Sequence, residues 1–251
     1  VVAIILPLLT SIADYRGTKK KFMNFFFVVG SFACMGLYFF KGPGTLSFGI
    51  GFMMLACICF WSSYVFSNSF LPEIAAPADR DRISAKGFAY GYIGSVILQV
   101  ICFVFVMKGE WFGITDKSMG PRISFLLTGV WWLGFGYYSL VRLPKPLAAG
   151  DEPFKRNVFT EGYIELAKVW KQLRALPVIK KYLVAFFFYN MGVQTVMLVA
   201  IDFGIKELKL ENSKLIITAV IIQIVAIAGA IGMSRLSALY GNIKVLSLTV
   251  C

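Results

Sequence analysis

Long apolar runs alternate with short charged loops along this chain, and no other feature restricts its fold as much. Stretches of roughly 20 residues that are nearly free of charge recur, the length that crosses about 30 Å of hydrocarbon. Six are complete, at 22–40, 46–69, 87–107, 121–141, 182–201 and 215–233. Two more are partial, one before residue 12 and one from Ile243 onward. A helix packed in a soluble core still shows water a polar face, and these runs have none to show. In a bilayer the backbone must satisfy its own hydrogen bonds, so apolar runs of this length read as helices. The expected fold class is therefore an all-α membrane protein.

Composition agrees. The chain is 58% hydrophobic with a mean hydropathy of +0.75. Only 15% of residues are charged, against roughly 25% in soluble proteins. The net charge of +12 could suggest a nucleic-acid partner, but the basic residues sit in short loops between apolar runs, so no nucleic acid is expected. Loops 13–21, 71–86, 142–181 and 234–244 hold 18 lysines and arginines, and the intervening loops hold 7. The excess alternates as a single threading requires, which assigns the first set to the cytoplasm. Cysteines introduced in 41–45 and 203–212 should label from outside with a membrane-impermeant reagent, and those in 145–155 should not. Outside labelling of 145–155 would reverse the orientation.

There is no histidine, which removes histidine ligands and histidine acid–base chemistry together. Cys34, Cys57, Cys59, Cys102 and Cys251 show no disulfide or zinc spacing, and four of them lie inside apolar runs. With no paired acids inside the runs and no nucleophile or nucleotide-binding motif, an enzyme is not expected, nor is a cofactor or metal. The chain starts at Val1 in one apolar run and stops at Cys251 in another, with no signal peptide visible. An internal piece of a longer protein is the expectation.

The organisation read from the sequence is a bundle over 1–141, a linker over 142–181 and the start of a second bundle over 182–251. The linker is polar, and Tyr163, Leu166, Trp170 and Leu173 recur in it at helical spacing, as in a helix lying at the headgroups. The small residues Ser84, Gly87, Gly91, Gly94 and Ser95 open the run at 87–107. Their three- and four-residue spacing marks a face for close helix packing. Asn190 and Gln194 are four apart and share a face in mid-run. Trp61, Tyr64 and Asn68 share another. Gln99, with Tyr92 and Ser95 on its face, and Gln223 are polar residues in mid-run. Such residues either bond between helices, at about 0.6 kcal/mol a pair, or serve a site. Gln99, Asn190, Gln194, Trp61, Tyr64 and Asn68 are the solute-binding candidates.

The loop at 12–21 reads Ile-Ala-Asp-Tyr-Arg-Gly-Thr-Lys-Lys-Lys. Asp14, Arg16, Gly17 and Lys19 resemble the loop-2/3 signature of the major facilitator superfamily, G-x-L-x-D-R-x-G-R-K. Thr10 stands where that signature has its first glycine. Positions 236–244, Leu-Ser-Ala-Leu-Tyr-Gly-Asn-Ile-Lys, repeat the pattern: Gly241 matches Gly17 and Lys244 matches Lys20. Both loops join two runs on the cytoplasmic side, as two homologous six-helix halves would require. Three further stretches, 64–75, 84–95 and 189–195, are similar to the Atg22-like (UMF1) branch of that superfamily.

The resemblance implies a major facilitator fold fragment, from the end of helix 2 to the start of helix 9, with two pseudo-symmetric helix bundles. It implies a secondary transporter, acting as a monomer by alternating access on a small polar solute such as an amino acid, with a proton as a candidate coupling ion. Helices 4 and 7 of such proteins line the cavity, which is why Asn190 and Gln194 lead the candidates. It implies a gating role for Asp14, Arg16, Gly17, Lys19 and Gly241. Family members often carry an acid after the asparagine at 190. Met191 stands there, which leaves charge binding or proton coupling at that position unsupported. The expected setting is a bacterial inner (plasma) membrane, and a non-transporting scaffold or receptor is the competing reading.

Overall fold

A computed structural model describes residues 18–116, 118–144 and 158–250. Among these, six helices are long and apolar enough to cross a membrane: Lys19–Phe39, Pro43–Ile74, Pro77–Met107, Met119–Arg142, Pro177–Lys206 and Ser213–Tyr240. They take the places of the six complete runs, in order. The α-helices proper are α1 (Lys19–Gly36), α2 (Leu46–Asn68), α3 (Arg80–Met107), α4 (Met119–Arg142), α5 (Val158–Ala175), α6 (Pro177–Lys206), α7 (Asn212–Tyr240) and α8 (Asn242–Val250). No strand occurs among the described residues. The amphipathic linker helix is α5.

Several helices run past the apolar limits that define the spans. Segment 80–86, expected as loop, is the first two turns of α3, and 234–240, from the loop expected at 234–244, continues α7. A formed helix adds residues at little further cost. Lysine and arginine are good helix formers, and Asp81 in the first turn of α3 suits the helix dipole. Charge marks where the hydrocarbon ends and does not stop the helix.

Two compact units are distinguished, one holding the described residues of Lys19–Leu147 and Val220–Cys251, the other Thr18 and those of Ala148–Ala219. The division falls inside α7. In the first unit α1 is the central helix and packs along both α2 and α4. Its buried residues, Met23, Phe26, Phe27, Gly30, Ser31, Ala33 and Cys34, follow the three- and four-residue spacing of one helix face. Phe66 of α2 is fully buried, with Phe22 and Phe26 stacked on it at 5.7 and 5.9 Å between centroids. Ser62 and Ser63 of α2 donate to the carbonyls of Ile58 and Phe60 at 2.7 and 2.9 Å, so these hydroxyls enter the packed face with their hydrogen bonds already made.

Glycines on α1 and α4 set the spacing of this cluster. A Cβ at Gly129 would stand 2.7 Å from the Ser31 carbonyl oxygen and 3.0 Å from the Met35 nitrogen. At Gly30 it would meet the Cys59 side chain at 2.7 Å, and at Gly136 the Phe27 ring at 2.8 Å. Two reversals also need glycine. Gly42 at φ 116° precedes the Pro43 turn between α1 and α2, and Gly241 at φ 86° separates α7 from α8. Large apolar side chains such as Phe32, Met54, Ile97, Phe187 and Val196 point outward and are exposed, as a lipid-facing surface requires.

Candidate functional site

The first unit contains a cavity of about 560 Å³ walled by α1, α2, α3 and α4. Its surface is mostly aromatic and aliphatic, from Phe27, Phe60, Leu98, Trp131 and Trp132. Hydroxyls of Ser63, Tyr64, Ser67, Thr128 and Ser139 interrupt that surface. Tyr64 is thus a lining residue. Trp61 meets its ring edge-on at 6.1 Å between centroids, and Phe60 stacks on it at 6.3 Å. Asn68 is exposed one turn further along α2. The structure therefore brings Trp61, Tyr64 and Asn68 together on one face, with Tyr64 on the cavity. The hydroxyl lining beyond Tyr64, and the contribution of α4, carried no sequence signal.

Asn190 and Gln194 lie one turn apart on α6, in the second unit, and both are exposed. Among the described residues neither side-chain amide has a hydrogen-bond partner. Each offers two donors and an acceptor. Thr195 beside them is bonded to its own helix, donating to the Met191 carbonyl at 2.8 Å. The face thus presents two open amides on a helix whose other side chains are largely apolar.

Gln99 is placed differently. Its amide oxygen accepts a hydrogen bond from Gln223 Nε2, which joins α3 to α7 across 124 positions of sequence. Gln99 also borders a second cavity of about 440 Å³ with Ser95, Cys102, Ser124 and Thr128. One lone pair of its amide oxygen is therefore engaged in holding helices.

Of the gating candidates, Asp14, Arg16 and Gly17 lie outside the described residues. Lys19 and Gly241 are inside. Lys19 Nζ stands 2.8 Å from Glu73 Oε1, with both side chains largely covered. Glu73 belongs to the single helical turn Leu71–Ile74 after α2. The neighbouring Lys20 donates to the Leu143 carbonyl at 3.0 Å, at the C-terminal end of α4 where backbone acceptors lack partners. The start of α1 is thereby tied to two other segments on the side assigned to the cytoplasm. Neither partner was legible, since sequence does not say which acid or which helix end a lysine will meet.

At the other ends of these helices Arg122 lies over the Tyr38 ring, 4.7 Å from its centroid, and donates through Nε to the Tyr38 carbonyl at 2.5 Å. Before α4, the Ser118 hydroxyl and backbone N–H donate to Asp116 at 2.7 and 2.8 Å. These bonds, with the nearby Arg122 charge, hold the Asp116 carboxyl below its ordinary range. Asp79 and Arg82 pair at 2.9 Å on an exposed surface, as a solvated loop would. Asp202 approaches Lys206 at 3.8 Å one helical turn away.

The small-residue face of α3 has open space beside it. Nothing lies within 4 Å of where a Cβ would stand at Gly87 or Gly91, and Gly94 meets only the Trp131 ring nitrogen at 4.0 Å. Close approaches are made by other glycines, among them Gly30, Gly129 and Gly136, and Gly120 of α4, where a Cβ would stand 2.9 Å from the Phe105 carbonyl oxygen at the far end of α3. No group of three or more potential metal-ligating side chains occurs among the described residues.

Six membrane-length apolar helices, with polar side chains set singly into them, define an integral, multi-pass membrane protein. The family model described as Vacuole effluxer Atg22 like matches residues 1–251. The chain belongs to that family. It is 29% identical over 227 residues to the MFS-type transporter YxiO of Bacillus subtilis, covering 90% of this chain and 52% of that protein. It is 24% identical over 305 residues to autophagy-related protein 22-1 of Penicillium rubens, covering 94% of this chain and 50% of that one. Autophagy-related protein 22 of Yarrowia lipolytica is 28% identical over 191 residues, 66% of this chain and 31% of its own. The chain thus spans about half the length, or less, of these relatives. No solved structure matches it.

Proposed function

We propose that the protein of which this chain is part is a secondary transporter that moves a small polar solute, with amino acids the first class to test, across a membrane by alternating access. The observation that carries this is the match to an effluxer family over the whole chain, laid on six membrane-length helices. The geometry fits. Asn190 and Gln194 can orient a zwitterionic or neutral solute by hydrogen bonds without attracting it by charge. Trp61, Tyr64 and Asn68 form an aromatic and amide wall on α2, and Gln99 joins them through whatever capacity its bond to Gln223 leaves.

Asp14, Arg16, Gly17, Lys19 and Gly241 act as the cytoplasmic gate, where the Lys19–Glu73 pair fixes the start of α1. Gly87, Gly91 and Gly94 offer a packing face to another helix of the complete protein. The bundle over 1–141, the linker over 142–181 and the second bundle from 182 remain the working division. The protein acts as a monomer in a bacterial plasma membrane, with a proton as the coupling ion to test first. The bacterial setting follows the similarity to the Bacillus protein.

The test is uptake by the full-length protein in liposomes, across a panel of amino acids and other small polar solutes, with and without a proton gradient. Accumulation above protein-free liposomes for at least one solute is expected. A flat response across the panel would favour a scaffold or receptor of the same fold.

A further inference from the structure

The linker helix α5 and the start of α6 form an elbow. Leu176 precedes Pro177, which disfavours helical backbone at residue 176. Its φ and ψ are −114° and 87°, and the proline opens the next helix. The Leu176 nitrogen bonds back to Leu173 and its carbonyl accepts from Lys180, both at 3.2 Å, so the bend is held at both ends. Inside it is a cavity of about 500 Å³. Trp170, Leu173 and Arg174 come from α5, and Lys180, Leu183 and Phe187 from α6. The Arg174 guanidinium lies 5.6 Å from the centroid of the Trp170 ring, an arrangement that holds its charge at the cavity edge.

We propose that this elbow binds one anionic phospholipid, with its phosphate between Arg174 and Lys180 and an acyl chain along Trp170, Leu183 and Phe187. Charge complementarity favours this occupant. Segment 166–181 holds five lysines and arginines and no acid. The linker is on the cytoplasmic side by the positive-inside rule, and that leaflet carries the anionic lipids. The cavity combines two cations with an apolar floor. A soluble phosphate would use only the cations, and a neutral lipid only the floor. The cations also stand where α6 passes from the charged linker into its apolar run at Tyr182, the depth of a headgroup.

The experiment uses full-length protein in vesicles of equimolar phosphatidylcholine and phosphatidylglycerol, with brominated chains on one lipid or the other. Bromine quenches nearby tryptophan fluorescence, and subtracting the signal of a Trp170→Phe variant isolates Trp170. Quenching of that component should be about twofold stronger with bromine on phosphatidylglycerol, through the attraction of basic groups for anionic headgroups. The preference should vanish in Arg174→Gln/Lys180→Gln and survive in Arg174→Lys/Lys180→Arg, which keeps the charges should the first variant fold poorly. Inorganic phosphate at matched ionic strength should leave it unchanged. Equal quenching by both lipids, a preference surviving loss of both charges, or its loss to inorganic phosphate would each overturn the assignment.

Discussion

Gly129→Leu is expected to leave little folded protein in the membrane. A Cβ at this position would stand 2.7 Å from the Ser31 carbonyl oxygen and 3.0 Å from the Met35 nitrogen. Both are backbone atoms of α1, so no side-chain rotation can relieve the contact. The helices must move apart, and the approaches at Gly30 and Gly136 open with them. Overpacking a tight core costs about 1–3 kcal/mol even where side chains can adjust, and a helix-wide separation forfeits more. Gly129→Ala should fold with a lowered thermal midpoint. Gly134→Leu supplies the control, because nothing lies within 4 Å of a Cβ there on the same helix. The check is yield and thermal midpoint by size-exclusion chromatography of the full-length protein. Equal yields for Gly129→Leu and Gly134→Leu would contradict the packing described for α1 and α4.

Gln194→Ala should weaken solute affinity roughly tenfold. A hydrogen bond to a charged group contributes ~1.5–3 kcal/mol, and about 1.4 kcal/mol corresponds to a factor of ten. The amide is exposed on α6 beside Asn190, so its removal should leave the thermal midpoint near the wild-type value. The two readouts separate two roles. Weaker affinity with unchanged stability marks a solute contact. Lower stability with unchanged affinity marks an amide that holds helices together, as the Gln99–Gln223 pair does.

That contrast shows what could be read in advance. The six spans and the linker helix were legible because hydropathy and periodicity act locally and need no partner. Gly241 was legible as the match of Gly17 in a loop between two runs, while its positive φ was not. Pairings were not legible. Small residues at three- and four-residue spacing show that a face is flat, and Gly87, Gly91 and Gly94 share one. Which flat face meets a neighbour depends on the other helices, and here Gly30, Gly129 and Gly136 do so. Gln99 was readable as a polar residue in an apolar run, but Gln223 lies 124 positions away. Lys19 was readable as part of a loop signature, but its contact with Glu73 spans 54 positions. In each case sequence marks a group that needs a partner, and the fold selects the partner.

Alternating access by way of the Asn190–Gln194 face requires that this face meet water from each side of the membrane in turn. A Gln194→Cys substitution in full-length protein freed of its native cysteines measures this without knowledge of the solute. The protein is reconstituted in one orientation and treated with a membrane-impermeant maleimide on one side, then on the other in a parallel sample. Reaction from both sides is the predicted result, since each molecule passes through inward- and outward-open states. Reaction from neither side would place position 194 in lipid or helix packing, and reaction from one side alone would contradict alternating access at this face.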